Sequence, residues 1–171
     1  MIAIILQALG ITGGWCVEIG AWDGEFLSNT ISLVRKGFYC LMVEGDEGRS
    51  KALFRNAAKA EYGGRITPVN AMVGPGNVGE LMKMVDGYMA VISIDIDGGE
   101  EDILAALPVK FAVVVMEWND KGNKHHWSVL EAADRCGYIP VHATNSNVIF
   151  VLAGFYRTFC EGMAKIEESL G

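Results

Sequence analysis

Residues 15–30, Trp15-Cys-Val-Glu-Ile-Gly-Ala-Trp-Asp-Gly-Glu-Phe-Leu-Ser-Asn-Thr30, decide how the rest of the chain is read. Trp15–Ile19 has the apolar run of a short buried strand, Gly20 and Gly24 mark a tight turn, and a helix is expected from Glu25 to Lys36. A strand handing over to a helix through glycines lets backbone approach a ligand and leaves N–H groups at the helix start. Glu18 is the anomaly. A carboxylate at the end of an apolar strand is costly to bury unless it has a partner or a task.

Working outward, the same strand–helix alternation repeats. Strands are expected at Phe38–Val43, Arg65–Ala71, Tyr88–Ile94 and Val109–Met116, the last a β-branched run between turn signals. Helices are expected at Glu47–Tyr62, Val78–Val85, Glu100–Leu107 and from His125 to Cys136. Gly137–Val141 and Val148–Leu152 form a hairpin through Thr144-Asn145-Ser146, and Phe155–Leu170 is a closing helix. This pattern is α/β: a Rossmann-like, doubly wound, mostly parallel seven-stranded sheet with an antiparallel C-terminal hairpin strand. The whole of 1–171 reads as a single domain, with an apolar N-terminal segment (1–14), core sheet and helices (15–152) and a C-terminal helix (153–171).

Composition narrows the function. The chain is 51% apolar with 21 glycines and a formal net charge of −7. That charge, with no local basic cluster, argues against a nucleic-acid partner. The apolar start lacks a basic leader and is too short to span a bilayer, so it is expected to pack on the sheet or on a second subunit of a homodimer. Cys16, Cys40, Cys136 and Cys160 show no metal-binding spacing. They are read as reduced thiols in or near the core of a cytoplasmic protein.

Four of the five parallel strands end in acid: Glu18, Glu44, Asp95 with Asp97, and Glu117, while strand three ends at Asn70. Capping of the following helices would explain some of these, notably Asp46 and Asp97. Convergence on one crevice outside the strand ends explains them together. Glu44 stands 20 residues beyond Gly24, the separation at which an acid accepts ribose hydroxyls. The turn lacks GxGxxG and carries an acid ahead of its glycines. It therefore suits a ligand with an amino group or positive charge better than a pyrophosphate.

Val17-Glu-Ile-Gly-Ala-Trp-Asp-Gly24 with Leu27-Ser-Asn-Thr30, Val43-Glu-Gly-Asp46, Ile92-Ser-Ile-Asp-Ile-Asp-Gly98, Val115-Met-Glu-Trp-Asn119 and Gly137-Tyr…Asn147-Val-Ile-Phe-Val151 resemble class I S-adenosylmethionine-dependent methyltransferases. Within them the chain is most similar to the FkbM-like branch, whose members methylate hydroxyls of sugars and related metabolites. The resemblance runs from Trp15 to Leu152. It implies that Gly20, Ala21, Trp22, Asp23 and Gly24 surround the methionine part, with Glu18 near its amino group and Asn29 or Thr30 near its carboxylate. It further implies Glu44 at the ribose, Asn70 and Ala71 at the adenine, and Gly45 and Asp95 among the cofactor-binding residues. Two positions depart from the family: Trp22 replaces the middle glycine, and Ser93 replaces a lysine common in the FkbM-like branch.

The expected activity is O-methylation of a small hydroxylated acceptor. Asp97, His125 and His126 are the candidate catalytic groups, with one histidine as base. Asp95, Asp97, Glu117 and Asn119 offer oxygen ligands of the kind Mg²⁺ takes. A solvated histidine pair and direct binding of ligand polar atoms are the competing explanations of these two groups. Two other functions compete: a non-catalytic binding or scaffold protein on the same fold, and a nucleotide-cofactor oxidoreductase.

Overall fold

A computed structural model describes residues 1–118 and 124–170; of residues 124 and 125 only the backbone is described. The seven strands are β1 Trp15–Ile19, β2 Tyr39–Glu44, β3 Ile66–Asn70, β4 Met89–Ile94, β5 Val113–Glu117, β6 Tyr138–Ala143 and β7 Asn147–Leu152. They form one sheet in the order β3-β2-β1-β4-β5-β7-β6. The β1–β2, β2–β3, β1–β4 and β4–β5 pairs are parallel, whereas β7 runs antiparallel to both β5 and β6. The hairpin therefore does not simply extend the edge as expected. β7 inserts between β5 and β6, and β6 becomes the outer strand, parallel to the other five.

Among the described residues seven α-helices accompany the sheet: α1 Ile2–Ala8, α2 Ile31–Val34, α3 Glu47–Ala57, α4 Val78–Met82, α5 Glu100–Ala106, α6 Lys124–Arg135 and α7 Tyr156–Leu170. Successive strand residues point to opposite faces. One face carries Cys16, Cys40, Met42, Val91, Val113 and Val115 under α1, α2 and α3, with Phe155 and Phe159 joining from the C-terminal segment. The other carries Val17, Ile19, Leu41, Ile92, Ile94 and Val114 against α4, α5 and α6. The apolar start packs within its own chain: a Cβ on Gly162 of α7 would lie 2.0 Å from the Ala8 carbonyl oxygen of α1. Among the described residues no helix is long and apolar enough to cross a membrane.

Several elements are shorter than their sequence suggests, among them α3, which ends at Ala57 rather than Tyr62, and α4, which ends at Met82 rather than Val85; for two others the reason is identifiable. Only Ile31–Val34 of the expected Glu25–Lys36 helix forms. Asp23 Oδ1 accepts the N–H groups of Glu25 and Phe26, and Leu27 adopts a positive φ of 54°, so the segment closes into turns. β5 starts at Val113 rather than Val109, because Tyr138 Oη takes both the Phe111 N–H and its carbonyl, each at 3.1 Å, in place of a strand. Cys16 and Cys40 are buried, but Cys160 is exposed rather than near the core, and all four cysteines are free thiols.

Candidate active site

The order of strands reverses between β1 and β4, and a cleft of about 550 Å³ opens over the carboxyl ends at that point. Side-chain alternation places Glu18, Glu44, Ser93 and Glu117 on the α1–α3 face of the sheet. The tips of β1, β2, β4 and β5 thus supply its polar lining. Gly20 makes this approach possible. Its φ is +83°, and a Cβ there would stand 1.7 Å from the Asp95 carbonyl oxygen.

Glu18 is 3% exposed and is consumed by the loop that follows it. Asn29 N–H donates to Oε1 at 2.7 Å, Ser28 Oγ donates to Oε2 at 2.6 Å, and the Thr30 hydroxyl and N–H complete the set. Burial pushes this carboxyl above its ordinary range, against the pull of these four donors. A carboxylate has about four lone-pair positions, so an incoming ammonium would have to displace a donor. Asn29 Nδ2 is likewise engaged, donating to Ser93 Oγ at 3.0 Å. The Ser93 hydroxyl thus anchors the loop at the position where the FkbM-like resemblance leads one to look for lysine.

Most of the N–H groups of the turn are also spoken for: those of Gly20, Ala21, Trp22 and Gly24 all donate within the protein. Gly20 and Ala21 both donate to the Val43 carbonyl, at 2.9 and 3.0 Å, and Gly24 donates to Ala21 at 2.7 Å. Trp22 N–H donates to Glu44 Oε2 and Asp46 N–H to Glu44 Oε1, each at 2.7 Å. The expectation of outward-pointing amides is therefore corrected: the backbone of the turn is spent on holding β1, β2 and Glu44 together. Each Glu44 oxygen has accepted one amide, which leaves each a second lone pair. Two acceptors held rigidly side by side suit a pair of vicinal hydroxyls.

At the other end, Asp95 and Glu117 share a hydrogen bond across the tips of β4 and β5. Two carboxyl groups can do this only with one proton between them. Glu117 holds it: burial first, then the bond to Asp95 and the charges of Asp95, Asp97 and Glu100, raise it from 4.5 to about 7. Asp95 is raised too, chiefly by burial. A folded-state value above the unfolded one means that this contribution to stability is complete below about pH 4.5 and is lost as pH rises through about 7. Glu117→Gln retains a donor toward Asp95 and cannot ionise. At pH 8 the variant is expected to melt about 2–4 °C above wild type, even after solvent screening, with no difference at pH 5. An equal offset at both pH values would take the shared proton away from Glu117.

Of the cofactor candidates, Glu18, Gly20, Ala21, Trp22, Glu44, Gly45, Ala71 and Asp95 line this cleft, as do Asp97 and Glu117. Asp23, Gly24, Asn29 and Asn70 do not. Asp23 caps the turn, Gly24 packs against Leu53 and Met42, and Asn70 Nδ2 donates to the Glu44 carbonyl at 2.8 Å. His126 is not among the lining residues either; its Nε2 pairs with the Trp118 carbonyl at 2.7 Å and its ring stacks on Trp118. The His125 side chain and Asn119 lie outside the described residues. Among the described residues no three His, Cys, Asp or Glu side chains are grouped to hold a metal ion. The Mg²⁺ expectation therefore finds no support among the described residues. Glu117 as a proton-holding group was not anticipated. Acids closing two adjacent strands are the available signal, and along the sequence they suggest either metal ligands or direct binding of ligand polar atoms.

No protein-family model and no curated protein matches this sequence. Solved structures do, and the fold they share with it is that of S-adenosylmethionine-dependent methyltransferases. A SAM-dependent methyltransferase from Aquifex aeolicus superposes with a TM-score of 0.56 at 11% identity, over 88% of this chain and 89% of that one. The precorrin-6y C5,15-methyltransferase of Geobacter metallireducens GS-15 gives 0.56 at 16% identity, over 87% and 84%. The methyltransferase domain of METTL16 gives 0.63 at 13% identity, over 88% and 66%. At these identities the likeness concerns the fold, and it does not single out the FkbM-like branch.

Proposed function

We propose that the protein is an S-adenosylmethionine-dependent methyltransferase acting on a hydroxyl of a small metabolite or sugar, as in the FkbM-like branch. The observation that carries this reading is Glu44, fixed by two amides with two acceptor positions remaining, beside a turn in which the N–H groups of Gly20, Ala21, Trp22 and Gly24 are already engaged. A pyrophosphate needs those N–H groups, so a dinucleotide is disfavoured, whereas a nucleoside with free ribose hydroxyls fits. The cofactor, when bound, supplies an electrophilic methyl group. Glu44 would hold the ribose, with Gly45 and Ala71 beside the base. Asp95, Asp97 and Glu117 would face the acceptor. A carboxyl that titrates near neutrality can take the hydroxyl proton as the oxygen becomes bonded to carbon. We assign that role to the Asp95–Glu117 pair in preference to His126, whose ring is already engaged. Four free thiols, two of them buried, support a cytoplasmic setting.

Thermal denaturation with ligands tests the reading. S-adenosylhomocysteine at 100 times its dissociation constant is expected to raise the melting temperature by about 5–10 °C, with NAD giving no shift. Glu44→Ala is expected to remove the response to S-adenosylhomocysteine. A response to NAD alone, or an undiminished one in Glu44→Ala, would overturn it.

A further inference from the structure

Arg49, in the first turn of α3, is the one basic side chain among the described residues lining the cleft; the other charged members are Glu18, Glu44, Asp46, Asp95, Asp97 and Glu117. In such company a guanidinium would ordinarily pair with a carboxylate. Here the nearest acid in sequence, Asp46, is used by the helix: its Oδ1 accepts the Arg49 backbone N–H at 2.8 Å. Among the described residues the guanidinium has no ion pair or hydrogen bond. It lies over the Trp22 ring, with its central carbon 3.5 Å from the ring centroid.

Trp22 is itself an unusual residue for its place. Its φ of 51° is one that glycine adopts freely and a bulky side chain rarely does. It is 42% exposed at the cleft, and its N–H is one of the two that orient Glu44. Phe26 stands beside the indole with ring centroids 5.8 Å apart and planes at 55°. A strained backbone that exposes a large aromatic surface next to a hydroxyl-binding carboxylate gains nothing in the protein alone. It gains if a ligand covers that surface.

We propose that Arg49 is a positioning residue for Trp22, holding the indole as a wall of the cleft against the sugar that Glu44 binds. This rests on the nucleoside-cofactor reading above. The stack fixes the ring orientation before ligand arrives, so little side-chain freedom is lost on binding. Guanidinium suits the task because it is planar and weakly hydrated, and so tolerates having one face against a ring.

Calorimetric titration of S-adenosylhomocysteine into four proteins tests this: wild type, Arg49→Met, Trp22→Gly and the double variant. Glycine is compatible with the backbone at position 22, and Arg49 is exposed, so the fold is retained. Arg49→Met is expected to weaken binding by about five- to tenfold, and Trp22→Gly by at least as much. In the double variant the Arg49 change is expected to add less than about twofold. Arg49→Lys, which can also stack a cation on the ring, is expected to stay within about threefold of wild type. The part of the fluorescence that Trp22→Gly removes is expected to shift to the red in Arg49→Met without any ligand. An unaltered affinity in Arg49→Met, or a loss that persists in full without the indole, overturns the proposal. Failure of wild type to bind S-adenosylhomocysteine overturns the underlying nucleoside reading instead, and an unchanged Trp22 emission then rejects the positioning role as well.

Discussion

Gly20→Ala is expected to lower the melting temperature by more than 10 °C and to abolish any response to S-adenosylhomocysteine. The new methyl group would sit 1.7 Å from the Asp95 carbonyl oxygen, more than 1 Å inside the 3.0 Å that real Cβ contacts respect. The obstacle is backbone, and it is tied down, since Asp95 N–H donates to the Ile19 carbonyl at 3.0 Å. Relief therefore means parting β1 from β4 at their tips, where the cleft is built. The positive φ alone costs about 1–2 kcal/mol for an L side chain; the collision comes on top. Gly37→Ala is the matched control, because its φ is +101° and nothing lies within 4 Å of its Cβ. It is expected to pay the conformational cost only, about 2–8 °C. Equal melting temperatures for the two variants would contradict the close approach of the strands.

Glu18→Ala is expected to cost about 3–5 kcal/mol, or on the order of 10 °C, since it removes the buried acceptor that Ser28, Asn29 and Thr30 share. Ser28 and Thr30 hydroxyls can turn to other acceptors, and the Thr30 N–H already reaches Ser28 Oγ at 3.3 Å; the Asn29 N–H has Glu18 alone. Glu18→Gln keeps one oxygen for those amides and is expected to lose roughly half as much. Denaturant unfolding of the three proteins measures this. The alternative role for Glu18, gripping the amino group of a ligand, predicts the opposite pattern. Glu18→Gln would then melt with wild type and lose affinity.

Much of this arrangement is legible along the chain, and the parts that are not share a cause. β1 to β5 and the acids that end them follow from apolar runs and turn residues, which are local signals. The length of α2 is not local. It is set by Glu18, ten residues before Ser28, whose buried carboxyl draws Ser28, Asn29 and Thr30 around itself and overrides the helical pattern of Glu25–Lys36. The late start of β5 depends on Tyr138, distant in sequence, and the shared proton depends on β4 and β5 lying side by side. The fate of the turn N–H groups was hidden for a similar reason. Glycine spacing says that backbone can come close, and here what comes close is Val43 and Glu44 of the neighbouring strand.

The place of β7 bears on how the molecule is made. A ribosome delivers β5 long before β7, and until Leu152 has emerged the hydrogen-bonding edge of β5 has no neighbour on that side. β6, synthesised in between, cannot dock directly in its final position, because the strand that joins it to the sheet does not yet exist. Half-made chains therefore carry an unpaired, strongly apolar edge formed by Val113-Val-Val-Met116. Their exposure lasts until β7 pairs with β5 and brings β6 with it, which makes this docking the step where a slow codon run or a truncation should most readily turn folding into aggregation.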